Sequence, residues 1–203
     1  MDIKKILPIF SYIFHPIFIS LYGTLFYFLI TQLYLYQSQF YLTLLQVGIL
    51  TLLLPISLYY LFMSLGVISS FTEATLKERK LPILIQAILL FVLIKFSASL
   101  DDLRELYYFF MGGFLSSLIA FLAVYIKFKA SLHMIGISSL TTFAYALSLH
   151  SQIQLVNIIL LLIITMGLVS SSRLYMKSHT PIELLIGTLI GIGSQVTFWI
   201  FWL

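Results

Sequence analysis

Apolar residues run in long blocks along this chain, and the polar residues between them are few and bunched. The blocks lie near 9–36, 44–70, 83–99, 106–126, 133–149, 154–172 and 182–202. Each is close to the roughly 20 residues that an α-helix needs to cross the hydrocarbon core of a bilayer. The pattern therefore predicts seven spans, in an all-α, polytopic membrane helix bundle of about six to seven transmembrane helices. The first block is the longest, and Pro8 and Pro16 divide it into an interfacial piece and a span. The breaks leave no room for a soluble domain, and neither a repeat nor a low-complexity tract is visible. Residues 1–203 thus read as a single integral membrane domain.

Composition narrows the class. With 61% hydrophobic and 9% charged residues, a soluble domain of 203 residues could not hide its apolar surface. Helices follow because every backbone polar group must find its partner inside the bilayer. The net charge of +4 is small and spread over short breaks, so no nucleic acid is expected as a partner. With no cysteine, disulfides, thiol catalysis and cysteine-ligated metals are excluded. Lys4 and Lys5 ahead of an apolar run resemble a signal peptide, but no small-residue cleavage site follows, so the run reads as a retained first span.

Charge also orients the chain. Seven spans put the N-terminus and the breaks after spans two, four and six on one side. That side holds Lys4, Lys5, Lys77, Arg79, Lys80, Lys127, Lys129, Arg173 and Lys177. The other holds Lys95 and Arg104, among Asp101, Asp102 and Glu105. The positive-inside rule assigns the basic side to the cytoplasm.

The chemistry gathers on that same side. Ser172-Arg173-Leu174-Tyr175-Met176-Lys177-Ser178-His179-Thr180-Pro181-Ile182-Glu183 fills the break between the last two blocks. Ionisable groups at a membrane boundary are costly and tend to mark function. A guanidinium grips phosphate, an imidazole attacks or shuttles a proton, and a carboxylate orients the imidazole. Ser131 and His133 stand at the mouth of span five, with Ser131 as an N-cap. Thr180 and Pro181 open span seven, so two helix starts and Arg173 form an anion cradle. Each feature has a plainer reading. The histidines could be interfacial hydrogen-bonders. Thr180 and Glu183 match a capping box, which is compatible with His179 orientation. Lys77, Arg79 and Lys80 could anchor to headgroups rather than bind substrate phosphate, and Lys127 and Lys129 could snorkel.

Other polar residues read as structural. His15 before Pro16 is a helix-kink residue with a local partner. His150 lies on the opposite side. Asp101, Asp102 and Glu105 form a solvated loop without a histidine. Gly112, Gly113, Ser116, Ser117 and Ala120, and the pair Gly187 and Gly191, read as helix-packing surfaces. The Phe and Tyr residues are expected mostly at lipid-facing and interfacial positions.

Together these residues resemble the type 2 phosphatidic acid phosphatase (PAP2) superfamily, the membrane branch of the vanadium haloperoxidase-like fold. Its three motifs are Lys-x6-Arg-Pro, Pro-Ser-Gly-His and Ser-Arg-x5-His-x3-Asp. Ser172, Arg173 and His179 match the third at its spacing, with Glu183 in the Asp place. Ser131 and His133 match the second, with Ala130 and Leu132 replacing Pro and Gly. Lys77-Glu78-Arg79-Lys80-Leu81-Pro82 corresponds to the first, with Leu81 in the Arg place and Ala74 in the Lys place. The resemblance covers about 70–190 and is that of a divergent, short bacterial membrane form. It implies a phosphatase acting on a membrane lipid of the inner membrane: a polyprenyl (pyro)phosphate, phosphatidic acid, phosphatidylglycerophosphate or lipid A phosphate. It further implies a phosphohistidine on His179, held by Glu183, and His133 as acid and then base. Arg173, Ser131 and the Lys77, Arg79 and Lys80 group would bind the phosphoryl oxygens, with neither metal nor cofactor. The alternative is a PAP2-like protein that has lost catalysis and binds or moves a phospholipid. A metal hydrolase ligated by His133, His179 and Glu183 is a thinner third reading.

Overall fold

Prolines, glycines and a few polar caps set where the helices of this chain begin, bend and meet. The computed structural model describes residues 3–32, 37–68, 76–100 and 102–203, with backbone only at 3–5, 77 and 98. Among these residues the α-helices are α1 (Ile3–Ile13), α2 (Pro16–Thr31), α3 (Gln37–Gly48), α4 (Leu54–Ser64), α5 (Leu76–Phe96), α6 (Arg104–Tyr125), α7 (Leu132–Ser151), α8 (Val156–Tyr175) and α9 (Pro181–Val196). A π-helical turn at Ile49–Leu53 joins α3 to α4. The protein is all-α.

Among the described residues, five helices are long and apolar enough to cross a membrane: Gln37–Ser64, Arg104–Tyr125, Leu132–Ser151, Val156–Tyr175 and Pro181–Phe201. A bent pair, Ile6–Ile13 and Pro16–Thr31, turns by 66° and brings the count to six if the two pieces form one span. Pro16 causes the turn. It has no N–H to give a continuing helix and disfavours helical geometry at the residue before it. His15 accordingly is extended, with φ −65° and ψ 139°. Pro8 sits inside α1 without ending it. The remaining expected span, the third at 83–99, corresponds to α5, which begins seven residues earlier because Lys77, Glu78, Arg79 and Lys80 are strong helix formers. Those charges and Lys95 hold it below the composition of the other five.

The bundle is built around α7, the most enclosed span. It packs on α9, α2, α8 and α6. Gly187 and Gly191 let α9 approach it closely: a Cβ at Gly187 would lie 2.7 Å from the Ser131 carbonyl oxygen, and one at Gly191 would collide with the Ile135 carbonyl and the Ser138 hydroxyl. Phe28, Phe109, Phe110 and Phe143 are buried with Tyr27 and Trp202 in the core. The Phe109 and Phe143 rings are 4.5 Å apart between centroids. Aromatics thus form much of the packed interior, beyond the lipid-facing role expected of them.

Hydrogen bonds distinguish the two ends of the bundle. At one, Glu105 accepts from the Tyr27 hydroxyl at 2.9 Å and meets His150 Nε2 at 3.1 Å. The acidic stretch there does have a histidine beside it, contrary to the sequence expectation; Asp101 lies outside the described residues. At the other end, the Ser131 N–H donates to the Glu183 carbonyl at 3.2 Å, and Ser11 and Ser172 share a hydroxyl contact of 2.6 Å. The starts of α7 and α9 and the end of α8 therefore converge.

Candidate functional site

The α8–α9 turn builds the first half of the site. Lys177 takes the left-handed conformation, φ 52°. The Ser178 N–H then donates back to the Arg173 carbonyl at 3.1 Å, which closes α8 and reverses the chain. Thr180 caps α9: its hydroxyl accepts from the Glu183 N–H at 3.4 Å, and Glu183 Oε2 accepts from the Thr180 N–H at 3.0 Å. The same Oε2 lies 3.0 Å from His179 Nδ1. One carboxylate oxygen thus caps the helix and orients the imidazole, so both sequence readings of Glu183 hold. A carboxylate accepts, so Nδ1 carries the His179 proton and Nε2 keeps a lone pair.

The start of α7 builds the second half. The Ser131 hydroxyl accepts from the Met134 N–H at 3.5 Å and is fully buried. It serves as a cap. His133 Nε2 lies 3.1 Å from the Ser11 carbonyl. A carbonyl only accepts, so this nitrogen is the donor and Nδ1 is left for other partners.

One cavity of about 520 Å³ collects His133, Arg173, His179 and Arg79, together with His15. Arg173 is only 7% exposed, and its Nε has no hydrogen-bond partner among the described residues. An unsatisfied buried donor costs about 1–3 kcal/mol, and more when charged. Glu183 stands behind His179. Lys80 turns elsewhere, its ammonium 4.1 Å from the Tyr125 ring centre. The Lys77 side chain lies outside the described residues.

The local field is positive. Burial, then the nearby Arg79 guanidinium, push the His179 imidazole down to about 4, against the opposing hydrogen bond from Glu183. Lys129 is lowered too, by burial and then by Arg79. Its ammonium donates to the Ser178 carbonyl at 3.0 Å, so it braces the turn that carries His179 instead of simply snorkelling. Among the described residues, no three of His, Cys, Asp and Glu gather as a metal-binding group.

Away from its charged mouth the cavity is mostly apolar. Ile19, Ile83, Leu90, Phe109 and Phe110 line it, with Gln195 deep along α9. From Pro181 to Gln195 the helix rises about 21 Å. Gly113, Ser116, Ser117 and Ala120 of α6 also line it. Their small side chains leave the space open, a role the helix-packing reading missed. His15 is the kink residue with a local partner that the sequence suggested, since its Nδ1 accepts from the Ile17 N–H at the 66° bend; the sequence did not anticipate that His15 lines the cavity, nor the contacts of Ser11 and Lys129. Of these, an ionisable residue inside an apolar block was a signal for His15. No protein-family description, curated protein or solved structure matches the chain.

Proposed function

We propose that this protein is a metal-independent phosphatase of PAP2 type that hydrolyses the phosphate of a membrane lipid through a phosphohistidine on His179. One observation carries the reading. A buried guanidinium with an unpartnered Nε, Arg173, shares a cavity with an imidazole whose Nδ1 is held by a carboxylate. That combination offers a dehydrated anion a cationic grip beside a nucleophilic nitrogen.

The reaction runs in two displacements. Arg173 and Arg79 neutralise the phosphoryl oxygens. The lone pair on His179 Nε2 forms a bond to phosphorus as the phosphorus–oxygen bond to the lipid breaks. Glu183 stabilises the positive charge that develops on the ring. The negative charge of the bound phosphate favours a proton on His133; the protonated ring gives it to the departing oxygen from Nδ1, while Nε2–H stays on the Ser11 carbonyl. In the second displacement neutral His133 takes a proton from water as the water oxygen attacks phosphorus. The phosphorus–nitrogen bond breaks, and inorganic phosphate leaves. The apolar length of the cavity receives the lipid tail, so the substrate is an amphiphile whose phosphate stays at the interface. By the charge distribution the site faces the cytoplasm, and by the PAP2 resemblance the membrane is a bacterial inner membrane.

The test is release of inorganic phosphate by the purified protein from polyprenyl phosphate and pyrophosphate, phosphatidic acid, phosphatidylglycerophosphate and lipid A. Wild type is expected to turn over at least one of them without loss to chelators, and His179→Ala to lose turnover while keeping lipid binding. Binding without release from any of these substrates supports the lipid-binding alternative.

A further inference from the structure

The His15–Pro16 elbow does more than bend the chain. Because Pro16 forces His15 out of helical geometry, the His15 side chain leaves the helix axis at the site end of the bundle. Its ring lines the same cavity as Arg173 and His179 and is exposed there. It packs edge-on against His133, with centroids 5.1 Å apart and planes at 88°. Four residues earlier, the Ser11 carbonyl holds His133 Nε2, and the Ser11 hydroxyl ties the elbow to Ser172 beside Arg173.

His15 has its own tautomer fixed. The Ile17 N–H donates to His15 Nδ1 at 3.4 Å, capping α2. The proton is therefore on Nε2, which has no hydrogen-bond partner among the described residues. A neutral donor that shares the cavity with the unpartnered Arg173 Nε gives the site two unfilled donors, one of them on a cation. An acceptor-rich tetrahedral anion satisfies both.

We infer that His15 is a third imidazole of the site, which donates Nε2–H to a phosphoryl oxygen of the bound substrate while its Nδ1 caps α2. The inference rests on the phosphatase reading for its catalytic consequence, but the anion contact is testable alone. His15 thereby joins Arg173 in the cavity, and the broken first span becomes part of the binding machinery. A hydrogen bond to a charged group contributes enough for a tenfold to hundredfold effect.

Asparagine separates the two jobs. It is among the best N-caps, so His15→Asn keeps α2 capped but presents no imidazole N–H to the cavity. His15→Ala loses both. Binding of orthovanadate and orthophosphate to detergent-purified protein is measured by calorimetry, together with thermal midpoints and lipid-phosphate turnover. The expected result is vanadate binding at least tenfold weaker in His15→Asn at an unchanged midpoint, with kcat/KM reduced by a similar factor. Wild-type vanadate affinity in His15→Asn, with destabilisation confined to His15→Ala, overturns the inference and leaves His15 a cap. If wild type releases no phosphate yet binds vanadate less tightly after His15→Asn, the phosphatase reading fails and the anion contact stands. No vanadate or phosphate binding by wild type overturns both.

Discussion

In the proposed reaction, the protonation of His179 controls the chemistry at the residue scale. Its free base would be the nucleophile, and burial with Arg79 nearby lowers the pKa of that imidazole to about 4. A depressed histidine pKa extends the active form to lower pH, so the acid limb of kcat/KM is expected near 4 and not near 6.5, once the substrate's own ionisation is divided out. Arg79→Gln removes a neighbouring cation and should move that limb upward. A limb at 6.5 in wild type would contradict the buried, cation-flanked setting. Glu183→Gln should lower kcat at least tenfold, by analogy with the general cost of losing a group that orients an imidazole; phosphate release measures it. Arg173, His179 and Glu183 were legible in the sequence because their relation is local, set by one tight turn and a capped helix start. His15 was not. Its partner His133 is far along the chain, and the two meet only because the elbow turns by 66°. Lys129 was equally hidden, since headgroup contact and turn bracing look alike in a basic break.

At the scale of elements, the contact of α9 with α7 sets the distance between the two halves of the site. Gly187 faces the Ser131 backbone, which cannot give way as a flexible side chain can. Gly187→Ala is expected to destabilise by about 1–3 kcal/mol and to reduce activity further by parting His179 from His133. Gly193, where an added methyl would meet nothing within 4 Å, is the control: Gly193→Ala should be neutral or mildly stabilising. Thermal unfolding in detergent reads both, and equal effects at the two positions would remove the packing argument. The small-xxx-small spacing made this interface readable, and Pro16 made the elbow readable. The small face of α6 was ambiguous because small residues serve close packing and open space equally well. The π-helical turn at Ile49–Leu53 left no sign in the hydrophobic pattern, which one extra residue in a turn barely disturbs.

For the whole molecule, alternation of the spans brings segments from 11 to 183 to one end, and parity of the hydrophobic blocks alone anticipated the shared end. Cytoplasmic sidedness is an expectation from charge: nine of the 11 Lys and Arg residues fall on the site side. Cysteines placed at Ser178 and Ser38, in a chain with no native cysteine, report it through an impermeant thiol reagent on intact cells. Labelling is expected at Ser38 and not at Ser178; the reverse pattern overturns the assignment. The central claim is that His179 becomes phosphorylated, and trapping tests it most directly. Purified protein is mixed with a lipid phosphate labelled in its phosphorus and quenched during turnover. The account predicts an alkali-stable, acid-labile label on His179 that is absent from His179→Ala and accumulates when His133→Ala is given a substrate with a good leaving group. Phosphate release that proceeds at the wild-type rate in His179→Ala, with no label on the protein, would contradict it.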